Sequence, residues 1–358
     1  MKTVSLRYYD AVNLGDDLFV KIVLERYRNP FIISSRSRYI VQRYDNARAS
    51  VVSDLLNRAM RYVRRGRAVV APARFFTGDL LLYIGGSLFI EQGNPTLWSQ
   101  ERQLYRRLSH PYYILGSNIG PYRSPEFLEM VRSIFRGAAD VCVRDSYSYD
   151  LAKDIPQVRR ATDIVLTLDV APYPTSDNGS YVISVINATQ KFDATVAAKY
   201  DTTITALATK LLANDNTATV TLMSFCKKEG DEAACERILA QLPTTLQQRA
   251  NIHRYRGDID SALQTLAQAR AIIGSRFHAN IVGMVFGKKI LPIAYSDKTI
   301  NILADMQYTG PVVDIRTIDD FDPATINFDA IAVQDISHLK PLAEEQFQVL
   351  DTVLERRD

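Results

Sequence analysis

The chain alternates short apolar runs with longer stretches whose apolar residues recur at helical spacing. Short apolar runs are typical of strands buried in a parallel sheet, and their alternation with helices is typical of βαβ units. The predicted strands lie at 3–9, 80–85, 112–117, 140–145, 181–187, 219–225, 250–255, 270–275 and 289–295. The predicted helices lie at 16–27, 47–65, 99–109, 125–137, 194–214, 231–242 and 258–269. The pattern predicts an α/β fold with parallel sheets covered by helices on both faces.

The pattern restarts after a stretch rich in Pro, Ser, Asn and Gly, APYPTSDNGS, at 171–180. That composition is typical of a linker. We therefore predict two Rossmann-like, doubly wound domains, an N-terminal one over 1–172 and a C-terminal one over 178–335, with a cleft between them. The last segment, 338–358, is predicted to be an amphipathic helix.

Composition narrows the class of protein. The chain is 47% hydrophobic and 23% charged, which is ordinary for a globular protein. No apolar stretch approaches the roughly 20 residues of a membrane span, and the N-terminus lacks the apolar core of a secretory signal, so we expect a cytoplasmic protein. Cys142, Cys226 and Cys235 have no metal-type spacing and are predicted to be ordinary thiols.

Charge is unevenly distributed. Residues 1–170 hold 25 Lys and Arg against 17 Asp and Glu, a net +8, and the remainder holds 18 against 23, a net −5. The arginine run RYVRRGR at 61–67 taken alone is interpreted as a solvated helix face. The basic half is nevertheless compatible with an anionic partner, such as a phosphorylated acceptor or the cytoplasmic surface of a membrane. No nucleic-acid-binding motif accompanies the charge, so nucleic acid is not an expected partner.

Polar clusters follow the predicted strands of the first half, where open α/β sheets bind ligands. They are AVNLGDDL (11–18), YIGGSLF (83–89), GSNIGP (116–121) and VRDSYS (143–148). Each has a structural alternative: an N-cap with a turn glycine, a tight turn, or a pairing of Arg144 with a carboxylate. There is no full G-x-G-x-x-G fingerprint, so a dinucleotide site is not supported.

A fifth cluster lies in the second half. Arg276 and His278 follow a predicted strand in GSRFHA, and Lys298 comes after the next strand. Three cationic groups near one sheet edge, with Asp297 as the only local acid, indicate an anionic ligand. Arginine binds carboxylate or phosphate with two parallel hydrogen bonds, and histidine near pH 7 can also donate a proton. Arg276 holding its own loop is the alternative.

Taken in order, these clusters resemble the polysaccharide pyruvyl transferase family. The resemblance extends over about residues 1–310 and is strongest in SRFHA with the trailing Pro292, Tyr295 and Lys298. The segment TDIVLTL (162–168) also matches. The chain departs from the family pattern at Ser87, where a third glycine is frequent, and at Ile164, where proline often follows the aspartate.

The resemblance implies a glycosyltransferase-B-like fold, phosphoenolpyruvate as donor, and a saccharide diol as acceptor, free or lipid-linked. The product would be a cyclic pyruvate ketal, made without a metal or a cofactor. The implied residues are Asp16 as base, His278 in contact with the phosphate and acting as an acid toward it, and Arg144, Arg276 and Lys298 on the donor's anionic groups. The implied acceptor-binding residues are Asn13, Gly85, Gly86 and Ser87.

Three alternatives remain open at this point. One is a nucleotide-sugar-dependent glycosyltransferase of similar fold, in which Glu229 or Asp231 holds a ribose. Another is a binding protein with two α/β lobes and no turnover. In the last, the polar residues are caps and salt bridges throughout.

Overall fold

A computed structural model describes residues 1–33, 37–50, 78–91, 95–106 and 108–357. The chain forms two compact units. The first comprises Met1–Asp10, Phe19–Thr167 and Pro341–Asp358, and the second comprises Ala11–Leu18 and Leu168–Lys340. Most of the helix predicted over 47–65, with the arginine run at 61–67, lies outside the described residues.

The first unit is built on a seven-stranded sheet of order β3-β2-β1-β4-β5-β6-β7 in which every pairing is parallel. Its central strands are apolar runs buried along their whole length, as expected when helices cover both faces. The strands are β1 (Val4–Arg7), β2 (Phe31–Ile33), β3 (Ala47–Ala49), β4 (Leu80–Ile84), β5 (Tyr112–Ser117), β6 (Asp140–Val143) and β7 (Val158–Arg160).

The second unit is built on a six-stranded sheet of order β10-β9-β8-β11-β12-β13, again parallel throughout. One face packs against the long helix over 194–214 in a single apolar cluster. The strands are β8 (Ser180–Val185), β9 (Thr219–Ser224), β10 (Ala250–Arg254), β11 (Ala271–Gly274), β12 (Lys289–Ala294) and β13 (Val313–Asp314).

The α-helices alternate with these strands. They are α1 (Leu14–Arg26), α2 (Arg38–Val41), α3 (Pro95–Arg106), α4 (Pro125–Gly137), α5 (Ser146–Asp150), α6 (Ala194–Asn214), α7 (Asp231–Gln241), α8 (Thr244–Gln247), α9 (Ile259–Ala267), α10 (Phe277–Val285), α11 (Asp297–Asp305) and α12 (Leu339–Glu344). The predicted fold class, two parallel-sheet α/β domains, is confirmed, and each of the nine predicted strands is present.

Two local predictions are wrong. The helix predicted from residue 47 does not begin there, because β3 pairs with β2 through Phe31 and Ala47. The C-terminal segment is α12 followed by 3-10 turns at Glu345–Phe347 and Leu350–Thr352 rather than one helix. It is held by side chains that point into the first unit: Gln346 is buried and accepts a hydrogen bond from the Gly116 amide at 3.0 Å.

Strand order reverses between β1 and β4 in the first sheet and between β8 and β11 in the second. Such switch points open a crevice at the carboxyl ends of the strands, and ligands bind there in open α/β sheets. The loops after β1, β4 and β11 carry AVNLGDDL, the Gly85–Gly86 turn and SRFHA. The predicted clusters therefore lie at the positions that the topology makes available to ligands.

Candidate active site

The loop that leads into α1 belongs to the second unit. The Leu14 amide donates to the Phe225 carbonyl at 3.1 Å, and Asn13 forms an isolated antiparallel bridge with Cys226, just after β9. Residues Ala11–Leu18 therefore cluster with the C-terminal half, whereas the sequence analysis assigned them to the N-terminal domain. This placement brings Asn13 and Asp16 into the same unit as His278.

Two residues, Asn13 and Tyr255, fix the first turn of α1 by hydrogen bonds. The Asn13 carbonyl accepts from the Asp17 amide at 2.9 Å and its side-chain oxygen accepts from the Gly15 amide at 3.1 Å, so Asn13 is the N-cap. The phenol of Tyr255, directly after β10, donates to the buried carboxylate of Asp17 at 2.6 Å. Sequence reasoning missed this second contact. The signal for it in the sequence was Asp17, an acidic residue on the apolar face of the predicted helix.

The backbone before the cap is strained. Val12 has a φ of 54°, in the left-handed region, which a β-branched residue rarely adopts. Conformations of this kind cost of order 1–3 kcal/mol and persist where the surrounding structure imposes them, often at functional sites. The bonds at Asn13 and Leu14 supply that constraint here.

The SRFHA turn after β11 is anchored by hydroxyl groups. The Ser184 hydroxyl, near the end of β8, accepts from the Arg276 amide at 3.0 Å. The buried Tyr200 phenol lies 2.8 Å from the Ser275 hydroxyl and accepts from the Ile186 amide. Ser184 and Tyr200 were missed from sequence, although a serine inside a fully buried strand is a signal for such an anchor.

Arg276 holds the same turn through its guanidinium, which was the open alternative in the sequence analysis. It pairs with both oxygens of Asp231 and, at 2.7 Å, with Glu229. Burial disfavours its charge, but Asp231 and Glu229 outweigh that cost and raise the pKa of Arg276 above its usual range. Arg276 is 8% exposed. Its predicted contact with the donor stays a prediction.

The two acids proposed for a ribose are both engaged by Arg276. Asp231 is fully buried and also accepts from the amides of Phe225 and Cys226 at 3.1 and 2.9 Å. Glu229 keeps 24% of its side chain exposed. Burial raises its pKa, but the charge and hydrogen bond of Arg276 outweigh burial and leave the pKa of Glu229 below its usual range.

His278 lies in the first turn of α10 and packs against α1. A β-carbon added at Gly15 would lie 2.3 Å from Nδ1 of His278, so the imidazole occupies the space that any other residue at position 15 would fill. The ring is half-buried, as are Asn13 and Asp16. Helix N-termini carry a partial positive charge and favour anions. The structure thus joins His278 to the N-terminal turns of two helices.

Lys298, half-buried in the first turn of α11, is the remaining donor-site candidate in this unit. Neighbouring Asp297 pairs with Arg316 at 2.6 Å. Lys191 lies 4.7 Å above the ring of Tyr295, two residues before α11. Lys191 and Lys298 therefore both lie near the loop that follows β12.

In the first unit, the predicted residues Gly85, Gly86 and Arg144 come together. The guanidinium of Arg144 lies against the α-carbon of Gly86, where a β-carbon would come within 2.3–2.7 Å of it. It donates to Asp163 at 2.5 Å and to Asn118 at 3.1 Å. Arg144 and Asp163 side chains are 1% and 0% exposed. This is the arginine–carboxylate pair that the sequence left open, and a donor contact of Arg144 stays a prediction.

The three loops of this edge are bonded to one another. The Asn118 amide donates to the Gly86 carbonyl at 2.8 Å, and the Ile119 amide donates to the Ser148 hydroxyl at 2.8 Å. Asp145 caps α5 through the Ser148 amide at 2.7 Å. Ser87, the last predicted acceptor residue, is exposed next to this network. The loops after β4, β5 and β6 thus form one surface.

Metal sites and membrane spans were sought among the residues that the structure describes. Among them, no group of three or more His, Cys, Asp or Glu side chains is placed to hold a metal ion. No helix within the described ranges is long and apolar enough to cross a membrane.

Comparison with solved structures shows the fold. The chain is similar to UDP-GlcNAc 2-epimerase from Methanocaldococcus jannaschii, with a TM-score of 0.56, 9% identity, and coverage of 98% of this chain and 99% of that one. It is similar to MnaA of S. aureus, solved with UDP, with a TM-score of 0.57, 10% identity, and coverage of 99% and 96%. It is also similar to Anabaena Alr3699/HepE, solved with UDP and glucose, with a TM-score of 0.53, 13% identity, and coverage of 99% and 96%.

At these identities the likeness establishes a glycosyltransferase-B-like fold and no activity. The sequence itself matches the family model "Polysaccharide pyruvyl transferase" over residues 13–297. That range includes Asn13 at one end and SRFHA near the other. With the ordered motifs and their placement at the sheet switch points, the match shows that the chain belongs to the polysaccharide pyruvyl transferase family.

Proposed function

We propose that the protein transfers the pyruvyl group of phosphoenolpyruvate to two hydroxyls of a saccharide, forms a cyclic ketal and releases phosphate. The observation that carries this proposal is the packing of His278 on Gly15 at the N-terminal turn of α1. A half-buried imidazole with two helix N-termini is suited to the doubly charged phosphate of this donor.

The reaction balances without a redox partner. The methylene carbon of phosphoenolpyruvate takes a proton, and C2 becomes an oxocarbenium-like electrophile. One saccharide hydroxyl bonds to C2, the bond from C2 to the phosphate oxygen breaks, and the second hydroxyl closes the ring. Of the two hydroxyl protons lost, one replaces the proton delivered to carbon and the other leaves with phosphate. The enzyme must therefore supply an acid, a base and positive potential near the phosphate.

The proposal assigns three groups, which act on the phosphate and on the saccharide hydroxyl. His278 contacts the phosphate and protonates it as it leaves. Asp16, half-buried one residue beyond Gly15, removes the hydroxyl proton. Lys298 adds positive charge at the same sheet edge. Because the guanidinium of Arg276 is held by Asp231 and Glu229, Arg276 acts by fixing the turn that carries His278.

The acceptor is proposed to bind at the Gly85–Gly86 turn and Ser87 in the first unit. Arg144 fills the space beside Gly86 and holds that turn through Asp163 and Asn118. The net +8 charge of residues 1–170 is compatible with a lipid-diphosphate-linked acceptor at the cytoplasmic membrane face.

Calorimetric titration tests the donor. Phosphoenolpyruvate, UDP-glucose and UDP-GlcNAc are titrated into wild type, His278→Ala and His338→Ala, the last being a histidine outside the site. We expect phosphoenolpyruvate to bind wild type and His338→Ala equally and His278→Ala at least tenfold more weakly. Binding of a UDP-sugar without binding of phosphoenolpyruvate would instead support a nucleotide-sugar glycosyltransferase. Equal binding by all three proteins would remove His278 from the donor site.

A further inference from the structure

An aromatic row lies beside the loop surface of the first unit. Trp98 on α3 packs edge-on against Phe127 of α4 with ring centroids 5.2 Å apart, and Tyr122 stacks on Phe127 with centroids 6.4 Å apart and an interplanar angle of 23°. Tyr147, the second residue of α5, interacts with the Tyr122 side chain and is 46% exposed. Burial, and then a hydrogen-bonding interaction with Tyr122, raise the pKa of Tyr147 above the usual tyrosine range.

The row is fixed to the same loops that carry the predicted acceptor residues. Tyr122 follows the GSNIGP loop, in which the Glu91 amide donates to the Pro121 carbonyl at 3.0 Å. Glu91 also accepts from the Ser124 amide at 2.9 Å and the Ser124 hydroxyl at 2.8 Å. Tyr147 follows Arg144, whose guanidinium lies on Gly86. The aromatic side chains therefore have rigid supports at the carboxyl edge of the sheet.

This combination suits one ligand class. A pyranose ring has an apolar C–H face and a polar hydroxyl rim, and tyrosine offers a flat apolar ring with a hydroxyl at its end. A phenol pair at a strand's carboxyl edge gives both kinds of contact without a charge. The interaction of the Tyr147 phenol with Tyr122, which itself stacks on Phe127, restrains the Tyr147 side chain, so less side-chain entropy is lost on binding.

We propose that Tyr147 and Tyr122 form a saccharide-binding platform that receives a pyranose unit of the acceptor beside the Gly85–Gly86 turn. The identification of the bound saccharide as the acceptor substrate rests on the proposed function. The binding of a saccharide to this platform does not. Tyr147 supplies the stacking face, and Tyr122 orients the Tyr147 ring.

Saturation-transfer NMR tests the platform with methyl glycosides of galactose, glucose and mannose as probes. They are presented to wild type, Tyr147→Ala, Tyr147→Phe and a control, Leu342→Ala, whose leucine is 43% exposed in the C-terminal segment. We expect at least one glycoside to bind wild type and Leu342→Ala, to lose about tenfold in affinity in Tyr147→Ala, and to keep most of it in Tyr147→Phe, which retains the ring.

Two other readouts separate the possible causes. Phosphoenolpyruvate titrated into Tyr147→Ala should bind as in wild type; if it binds neither protein while the glycoside result holds, the proposed function fails and the platform stands. Sedimentation should give the same mass for wild type and Tyr147→Ala. The platform proposal is overturned if no glycoside binds wild type, if Tyr147→Ala binds like wild type, or if the substitution only dissociates an oligomer.

Discussion

Replacing Gly15 by alanine isolates the contact on which the proposed donor site depends. The added β-carbon would lie 2.3 Å from Nδ1 of His278, and a normal contact needs about 3.5 Å, so the imidazole must move by about 1.2 Å or rotate away. Position 15 is helical without a positive φ, so the backbone accepts alanine. Alanine in a helix is favoured over glycine by up to about 1 kcal/mol. The substitution therefore displaces a side chain without unfolding the helix.

We expect Gly15→Ala to lower kcat/KM for phosphoenolpyruvate by about 100-fold, the usual cost of a displacement of about 1 Å in a catalytic group. The free energy of unfolding should stay within about 1 kcal/mol of wild type. Phosphate release and urea unfolding measure the two quantities. A double-mutant cycle with His278→Ala provides the control, since Gly15→Ala should have no further effect on activity once the imidazole is gone.

Two results would refute this reasoning. Turnover within twofold of wild type in Gly15→Ala would mean that the imidazole's position does not matter for the reaction. An equal loss of activity in both backgrounds of the cycle would assign the effect to α1 itself rather than to its contact with His278.

Three further predictions concern the supports of the two loop surfaces. Asp163→Asn breaks a buried ion pair and should lower the free energy of unfolding by about 3–5 kcal/mol in urea, whereas Asp150→Asn, in an exposed pair, should leave it unchanged. Tyr255→Phe removes a buried donor to the first turn of α1 and should cost about 1–2 kcal/mol with lower turnover; unchanged values would mean the bond supports nothing. The pKa of Glu229 is lowered in the folded state. Its pairing with Arg276 therefore stabilises the fold at pH values above the ordinary pKa of glutamate, and this stabilisation is lost as the pH falls through the lowered pKa. Acid titration of Glu229→Gln should therefore show a flatter loss of stability than wild type; an identical curve would contradict it.

The fold was largely predictable from sequence because long apolar runs decide it. The nine strands that were predicted either lie inside a sheet or contain a long apolar run. Those missed are β2, β3, β7 and β13, each two or three residues long. At β3 the sequence Ala47–Ala49 has no strand preference of its own, and pairing with β2 overrides its local tendency toward helix.

The positions of the polar clusters at the sheet edges were predictable from sequence, but the pairings of their side chains were not. Arg276 meets Asp231 and Glu229 across 45 and 47 positions of sequence, and nothing in SRFHA indicates that its charge is already paired. The junction of Leu14 with Phe225, which moves Asn13 and Asp16 into the unit of His278, spans more than two hundred positions. Contacts of this range depend on chain topology, which local patterns do not encode.

The most direct test of the central claim follows the donor carbon itself. The protein is incubated in D2O with [2-13C]phosphoenolpyruvate and the glycan fraction of its native cells, and the products are examined by 13C NMR with a parallel phosphate assay. The account predicts a labelled quaternary ketal carbon on the saccharide, a deuterium in its methyl group, and one phosphate per ketal, all absent with His278→Ala. Label that stays in phosphoenolpyruvate, or appears only as free pyruvate, would contradict it.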